Sequence, residues 1–278
     1  MFPRCKLFDW WALSSRWWRD GRSLWSRCMT VIRLAGRHTE LAFWLMTPNE
    51  NACEIAAILG YGTVIIDMEH GTFEPSTAAR SVTIAKALGL TVYTRVDSAE
   101  RVPIQHALDF GSDGVILPQI ESLKHAKAAT AFAKFPPLGT RGFGGGKTVN
   151  YMPAPRQFVE AENRRIKCWA MIETVQALEE VEKIAALDTV DGLFIGPNDL
   201  SLARGRGEYM ADGRDHDDIK RIALAARANE KPWAMPIASA QDLEFARGLN
   251  IDFMAMTDDL TALRDGLAAG LQLLGTVE

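Results

Sequence analysis

Eight times between residues 41 and 274, a short run of β-forming apolar residues is followed by a stretch whose apolar residues recur at helical spacing. The β-type runs fall at 42–46, 63–67, 91–95, 114–117, 167–172, 192–195, 232–236 and 252–256. The helical stretches follow them at 51–59, 75–88, 101–110, 122–135, 175–186, 216–229, 240–249 and 260–274. Pro75 opens one helical stretch and Gly89 closes it, the placement each residue's backbone favours. The runs are continuously apolar, as strands buried on both faces must be, and strand–helix alternation implies a parallel sheet. Eight units in about 235 residues favour closure into a (β/α)8 TIM barrel over an open doubly wound sheet. No linker divides the chain. The long interruption is the glycine- and proline-rich segment 136–155, which is expected to form a mobile lid or rim loop with Arg141 toward the pocket.

Composition excludes several classes of partner. The net charge of −4 on 278 residues gives no electrostatic pull toward nucleic acid or an anionic membrane. No apolar run reaches the ~18 residues that a membrane span requires. Four cysteines, Cys5, Cys28, Cys53 and Cys168, lie far apart with no C-x-x-C pair, which fits reduced thiols in a cytoplasmic protein. Residues 1–28 stand apart as an N-terminal extension before a single domain at 29–278. They hold five of the eight tryptophans and a local charge of +4. Three readings are open for them: translation from Met29 instead, an arm packed on a neighbouring subunit, or an interfacial amphipathic segment.

In a (β/α)8 barrel the chemistry gathers at the C-terminal ends of the strands. Reading those ends gives Trp44, Asp67-Met68-Glu69-His70, Arg95-Val96-Asp97, Gln119, Glu173-Thr174 and Asn198-Asp199. Glu173 and Asp199, on adjacent strand ends, make a site for a hard divalent cation: Mg2+, with Mn2+, Co2+ or Zn2+ as substitutes. The alternative is that Glu173 caps its own helix or pairs with Arg95. Arg95 suits a carboxylate or enolate oxygen, or else an ion pair with Glu69 or Asp97. His70 has the residue type of a general base near neutral pH. Two further motifs fail. The loop 139–148 has Arg141 where a phosphate loop needs glycine, and it follows a helix. The acidic stretch 212–218 lacks calcium-loop spacing and is expected to be a solvated segment.

Six segments in order, IIDMEHG (65–71), TRVDS (94–98), LPQIES (117–122), GTRGFG (139–144), MIET (171–174) and FIGPNDLS (194–201), resemble the HpcH/HpaI aldolase family, the class II pyruvate aldolases. The resemblance spans roughly residues 40–275. It implies a (β/α)8 barrel, often a hexamer built as a trimer of dimers, with the C-terminal helix exchanged between subunits. It implies Glu173 and Asp199 as metal ligands, Arg95 at the keto and enolate oxygen, and His70 as general base with Asp109 as its acidic partner. It also implies Asn198 and Asp199 as the backbone cradle of the oxo-acid carboxylate, and Trp44 and Asp67 lining the site. Met171 and Asn198 depart from several members, which leaves the far end of the substrate open.

The expected reaction is reversible cleavage of a 4-hydroxy-2-oxo acid to pyruvate, or a related 2-oxo acid, and an aldehyde through a metal-stabilised enolate. No lysine falls at a strand end, which argues against a Schiff base. Two alternatives stand beside it: a C–C lyase of the citrate-lyase-β or malyl-CoA-lyase type, and a non-catalytic barrel acting as an interaction protein.

Overall fold

The computed structural model describes residues 32–34 and 37–272. Its strands are β1 (Ile32–Leu34), β2 (Arg37–Leu45), β3 (Thr63–Asp67), β4 (Thr91–Arg95), β5 (Gly114–Leu117), β6 (Lys167–Ile172), β7 (Gly192–Ile195), β8 (Trp233–Pro236) and β9 (Phe253–Asp258). From β2 to β9 each strand pairs in parallel with the next, and β2 pairs back with β9, so eight strands close a barrel. β1 adds an antiparallel strand to β2. Between and after the strands come α1 (Glu50–Leu59), α2 (Pro75–Ala87), α3 (Arg101–Asp109), α4 (Leu123–Ala131), α5 (Phe158–Arg165), α6 (Val175–Glu179), α7 (Val181–Ala185), α8 (Pro197–Ala203), α9 (Gly213–Ala228), α10 (Ala240–Gly248) and α11 (Asp259–Gln272). Among the described residues no helix is long and apolar enough to cross a membrane.

Strand side chains alternate between two faces, so every second residue points into the barrel. Val64, Ile66 and Val92 pack outward with Ala78, Val82 and Ala85 of α2. Ile65, Tyr93, Trp169, Phe194 and Phe253 point inward and meet on the axis. Tyr93, Trp169 and Phe194 each lie 5.5–6.1 Å, centroid to centroid, from Phe253. This aromatic layer closes the barrel interior. The next inward position on several strands, two residues toward the C-terminus, is polar: Asp67 after Ile65 and Arg95 after Tyr93. The packed layer therefore serves as the floor on which those residues stand.

Several expectations change. Five strands have the anticipated bounds, but β2 starts earlier than 42, at Arg37. The helix expected over 175–186 is two short helices, α6 and α7, that meet at Glu180, whose carboxylate accepts the Leu123 amide at 2.7 Å. The helix expected from 216 begins at Gly213, because the Asp212 side chain caps it by accepting from the Arg214 and Asp215 amides. The acidic stretch is also not simply solvated: Asp215 and Asp218 are buried and paired with Arg206 at 3.2 and 2.9 Å.

The segment 136–155 is not a lid over the barrel mouth. It leaves the C-terminal end of α4 and returns through α5 into β6, so it is a helix-to-strand connection, and these lie at the end of the barrel opposite the chemistry. Arg141 is 3% exposed, pairs with Asp109 and Glu162, and lies 4.6 Å over the Phe135 ring. The N-terminal extension at 1–28 and residues 273–278, including the end of the helix expected to reach 274, lie outside the described residues.

α11 is held to the barrel by its first turn. Asp259 is its one buried residue and accepts the Met46 amide at 2.7 Å and the Thr47 amide at 3.2 Å. Leu260, Leu263, Leu267 and Leu271 recur at helical spacing with 51–68% of their surface exposed.

The aromatic layer yields a stability prediction. A Cβ at Gly192 would lie 2.4 Å from Trp169 Cζ3. Gly192→Ala is therefore expected to cost about 1–3 kcal/mol through overpacking, read as a lower denaturant midpoint. An unchanged midpoint would show that the layer has slack.

Candidate active site

Asp67 is fully buried at the end of β3, and its two carboxylate oxygens accept five hydrogen bonds. Arg95 Nε donates to Oδ1 at 2.9 Å and Arg95 Nη2 to Oδ2 at 2.5 Å. Trp44 Nε1 donates to Oδ2 at 3.0 Å. The Glu69 and His70 amides donate to Oδ1 at 3.0 and 3.2 Å. Burial alone would raise the Asp67 pKa, but the hydrogen bonds and charge of Arg95, with help from Trp44 and the His70 amide, hold it below the ordinary carboxylate range. Arg95 also lies 3.1 Å from Glu69 through Nη1 and 4.9 Å over the Trp44 ring. Its hydrogen bonds use two of its five N–H groups, leaving donors on Nη1 and Nη2 for a ligand.

Glu173, one residue past β6, is 2% exposed. Gln119, held at φ +52°, turns its amide toward Glu173 Oε1 and donates at 2.6 Å. The other oxygen packs against Gly196, where a Cβ would lie 2.3 Å from Oε2, so only glycine lets the chain after β7 approach the carboxylate this closely. Burial raises the Glu173 pKa from 4.5 to about 7, with the charges of Glu69 and Asp199 adding to the rise and the Gln119 amide and Arg95 opposing it. Glu69 is raised for a similar reason: burial first, with Asp67 and Asp199 adding and Arg95 opposing. Asp199 sits in the first turn of α8.

Four carboxylates thus surround one guanidinium, an imbalance that a cation relieves. Among the described residues no three His, Cys, Asp or Glu side chains form a metal cage on their own. The Glu173–Asp199 pair nevertheless fits a hard divalent cation of the Mg2+ type, which commonly takes one or two protein carboxylates and completes its shell with water and substrate oxygens. The fit rests on the all-oxygen donors and on the charges of Glu69 and Asp199 acting on Glu173.

A cavity of about 620 Å³ opens above this floor. Trp44, Asp67, Arg95, Asn198 and Asp199 all line it. His70 does not. Its side chain is 60% exposed on the rim turn, with Nε2 3.9 Å from Glu69 Oε2. Asp109 is not brought to His70 within the chain. It ends α3 near the start of β5, at the opposite end of the barrel, and accepts from Thr148 Oγ1 at 3.1 Å and from Arg141.

Sequence reasoning gave Glu69 only as a pairing alternative for Arg95, although its position two residues past Asp67 in an acidic turn marked it. Gln119 entered only as a strand-end residue, since its role lies in a positive-φ backbone that the sequence does not announce. The far wall from β9 and α11, including Thr257, Thr261 and Arg264, had no signal beyond its place after the last strand.

The family model for the HpcH/HpaI aldolase/citrate lyase family matches residues 40–243. A 2-dehydro-3,6-dideoxy-6-sulfogluconate aldolase of Pseudomonas putida is 32% identical over 197 residues, 71% of this chain and 76% of that one. A 4-hydroxy-2-oxovalerate aldolase of Novosphingobium aromaticivorans is 35% identical over 170 residues, 60% of this chain and 63% of that one. Among solved structures, an HpcH/HpaI aldolase from Desulfitobacterium hafniense superimposes with a TM-score of 0.80 at 25% identity, covering 86% of this chain and 94% of that one.

The raised Glu173 pKa predicts how the cation-free protein responds to pH. Between about 4.5 and about 7 the native state holds a proton on Glu173 that the unfolded state releases, so stability falls as pH rises through that window. Glu173→Gln removes this dependence. In EDTA at pH 8 the variant is expected to be more stable than the parent by on the order of 3 kcal/mol, seen as a higher thermal midpoint. Added Mn2+ is expected to raise the midpoint of the parent and not of the variant. Equal or lower stability of the variant at pH 8 would show that the carboxylate is not held against its charge.

Proposed function

The chain belongs to the HpcH/HpaI aldolase/citrate lyase family, lyases of the aldolase type, and we propose that it reversibly cleaves a 4-hydroxy-2-oxo acid to pyruvate, or a related 2-oxo acid, and an aldehyde, with Glu173 and Asp199 holding a divalent cation. The observation that carries this proposal is the gathering of Asp67, Arg95 and Asp199 on the lining of one cavity, with the Glu173 carboxylate buried against Gly196 of that lining. The Novosphingobium relative bears the name of a 4-hydroxy-2-oxo acid, which supports the substrate class.

A cation at Glu173 and Asp199 supplies Lewis acidity toward the keto oxygen of the oxo acid. The protein's own groups do the rest. The first-turn amides at Asn198 and Asp199 lack intrahelical partners and receive the oxo-acid carboxylate. Arg95, fixed by Asp67, directs its free donors to the oxygen on which enolate charge develops, so the donors need no reorganisation during the reaction. Glu69 and Asp67 keep that guanidinium from swinging away. His70 on the rim moves the proton of the aldehyde-derived hydroxyl, through a water given its distance from the floor.

Asp109 stands at the other end of the barrel, so its pairing with His70 would be made between subunits. The exposed leucine stripe of α11 supports assembly of copies, with the α11 helix exchanged and a hexamer as the form the resemblance implies.

The experiment is cleavage of 4-hydroxy-2-oxovalerate with added Mn2+, together with exchange of pyruvate methyl protons into deuterium oxide. Both are expected in the parent protein, and absence of both overturns the proposal. Removing Arg95 outright would strand the buried Asp67 charge at a cost of about 3–5 kcal/mol in stability. Arg95→Lys keeps a positive partner and loses the fork. It is expected to lower kcat for cleavage about 10²-fold, with proton exchange falling in parallel. An unchanged kcat would remove Arg95 from the chemistry.

A further inference from the structure

We propose that the C-terminal helix α11 selects the aldehyde, with Thr261 and Arg264 receiving the hydroxyl groups of a hydroxylated aldehyde chain; the assignment rests on the aldolase chemistry proposed above. The cavity runs from the Asp67–Arg95 floor, past apolar walls that include Ile237 and Met256, to a polar far end formed by Thr257, Thr261, Arg264 and Asp265. An oxo acid seated at Asn198 and Asp199 occupies the near end, so the far end faces the aldehyde part of the substrate.

Two features show that these polar groups are more than a solvated helix surface. The first is the position of each face of α11. Leu260, Leu263, Leu267 and Leu271 share one face; Thr261 and Asp265 lie roughly 100–140° round the helix from Leu260, and Arg264, at about 40°, borders the leucine stripe on the same side. The polar face is the one that lines the cavity. The second is a shift in register where β2 pairs with β9. Ala42 lies opposite Ala255, but Phe43 lies opposite Thr257, so Met256 is an extra residue. A bulge of this kind re-aims the residues after it, and here Thr257 joins the cavity wall.

The chemistry of the far end fits hydroxyls better than a bare anion or an alkyl chain. Arg264 donates to its neighbour Asp265 at 2.9 Å, with side chains 71% and 64% exposed. An ion pair so open to water is weak and yields readily to a ligand. Asp258 is partly spent, accepting the Thr261 amide at 2.8 Å. The far end thus offers guanidinium donors, a carboxylate acceptor and two threonine hydroxyls that do both. A hydroxyl donates one hydrogen bond and accepts others, so it can be matched from both sides. An anion would meet Arg264 flanked by Asp258 and Asp265, and an alkyl group would use none of these partners.

The test measures kcat/KM for aldol addition of pyruvate to glyceraldehyde and to propionaldehyde, in the parent, Arg264→Met and Thr261→Val proteins, with succinic semialdehyde as a third acceptor. The ratio of glyceraldehyde to propionaldehyde is expected to fall about tenfold in each variant, the effect of losing a net hydrogen bond of order 1.4 kcal/mol. Arg264→Lys is expected to retain part of it. An unchanged ratio, or equal losses for both aldehydes, overturns the proposal. A loss confined to succinic semialdehyde also overturns it and assigns Arg264 to an anionic group. Pyruvate proton exchange in the parent protein separates the two layers: exchange with an unchanged ratio refutes only the role of α11, whereas absence of both exchange and 4-hydroxy-2-oxovalerate cleavage refutes the aldolase chemistry itself.

Discussion

The buried ion pair between Asp67 and Arg95 fixes the floor of the cavity. Buried pairs of this kind contribute little net stability, because desolvation offsets much of the attraction, but they are costly to break and they hold a geometry. Here one carboxylate gathers two N–H groups of Arg95, the Trp44 indole and two amides of the rim turn. It therefore sets the direction of the guanidinium and the course of the chain through Glu69 and His70 together. The turn must also pass close beneath itself: a Cβ at Gly71 would lie 2.2 Å from the Asp67 carbonyl oxygen. The pair stands on the packed aromatic layer around Phe253.

Beside that fixed positive group lie the carboxylates of Glu69, Glu173 and Asp199, and burial with their mutual repulsion holds a proton on Glu173 up to about pH 7. Its carboxyl is buried, with one oxygen held by the Gln119 amide and the other packed against Gly196. A cation held there, as proposed, would favour the charged form that burial opposes. Such a trade of stability for function is common where a site must bind something it does not itself contain. The floor is thus specialised for the oxo acid, while the walls and α11 are left to distinguish what is joined to it.

The barrel was largely legible in the sequence because strands buried on both faces are apolar along their length, as in Thr63–Asp67 and Lys167–Ile172, and because each such run is followed by a helical stretch. The floor residues were legible for a related reason. A charged residue immediately after such a run has to leave the core at the strand's C-terminal end, as Asp67, Arg95 and Glu173 do. Less was visible where structure depends on contacts across the chain. The short helix α8 carrying Asn198 and Asp199 is too brief to show a period. Arg141 looked like a loop residue near a pocket, and its burial beneath Phe135 comes from partners at Asp109 and Glu162 far away in sequence. Asp109 and His70 are separated by the length of the barrel within one chain, a fact that spacing along the sequence does not encode.

The most direct measurement of the central claim is electron paramagnetic resonance of Mn2+ titrated into the cation-free protein, with and without pyruvate. One tight Mn2+ per chain is predicted, lost in Glu173→Gln, with a spectrum that changes when pyruvate is added because the oxo acid enters the ion's shell. Mn2+ that binds equally well to the Glu173→Gln protein, or a spectrum indifferent to pyruvate, would contradict it.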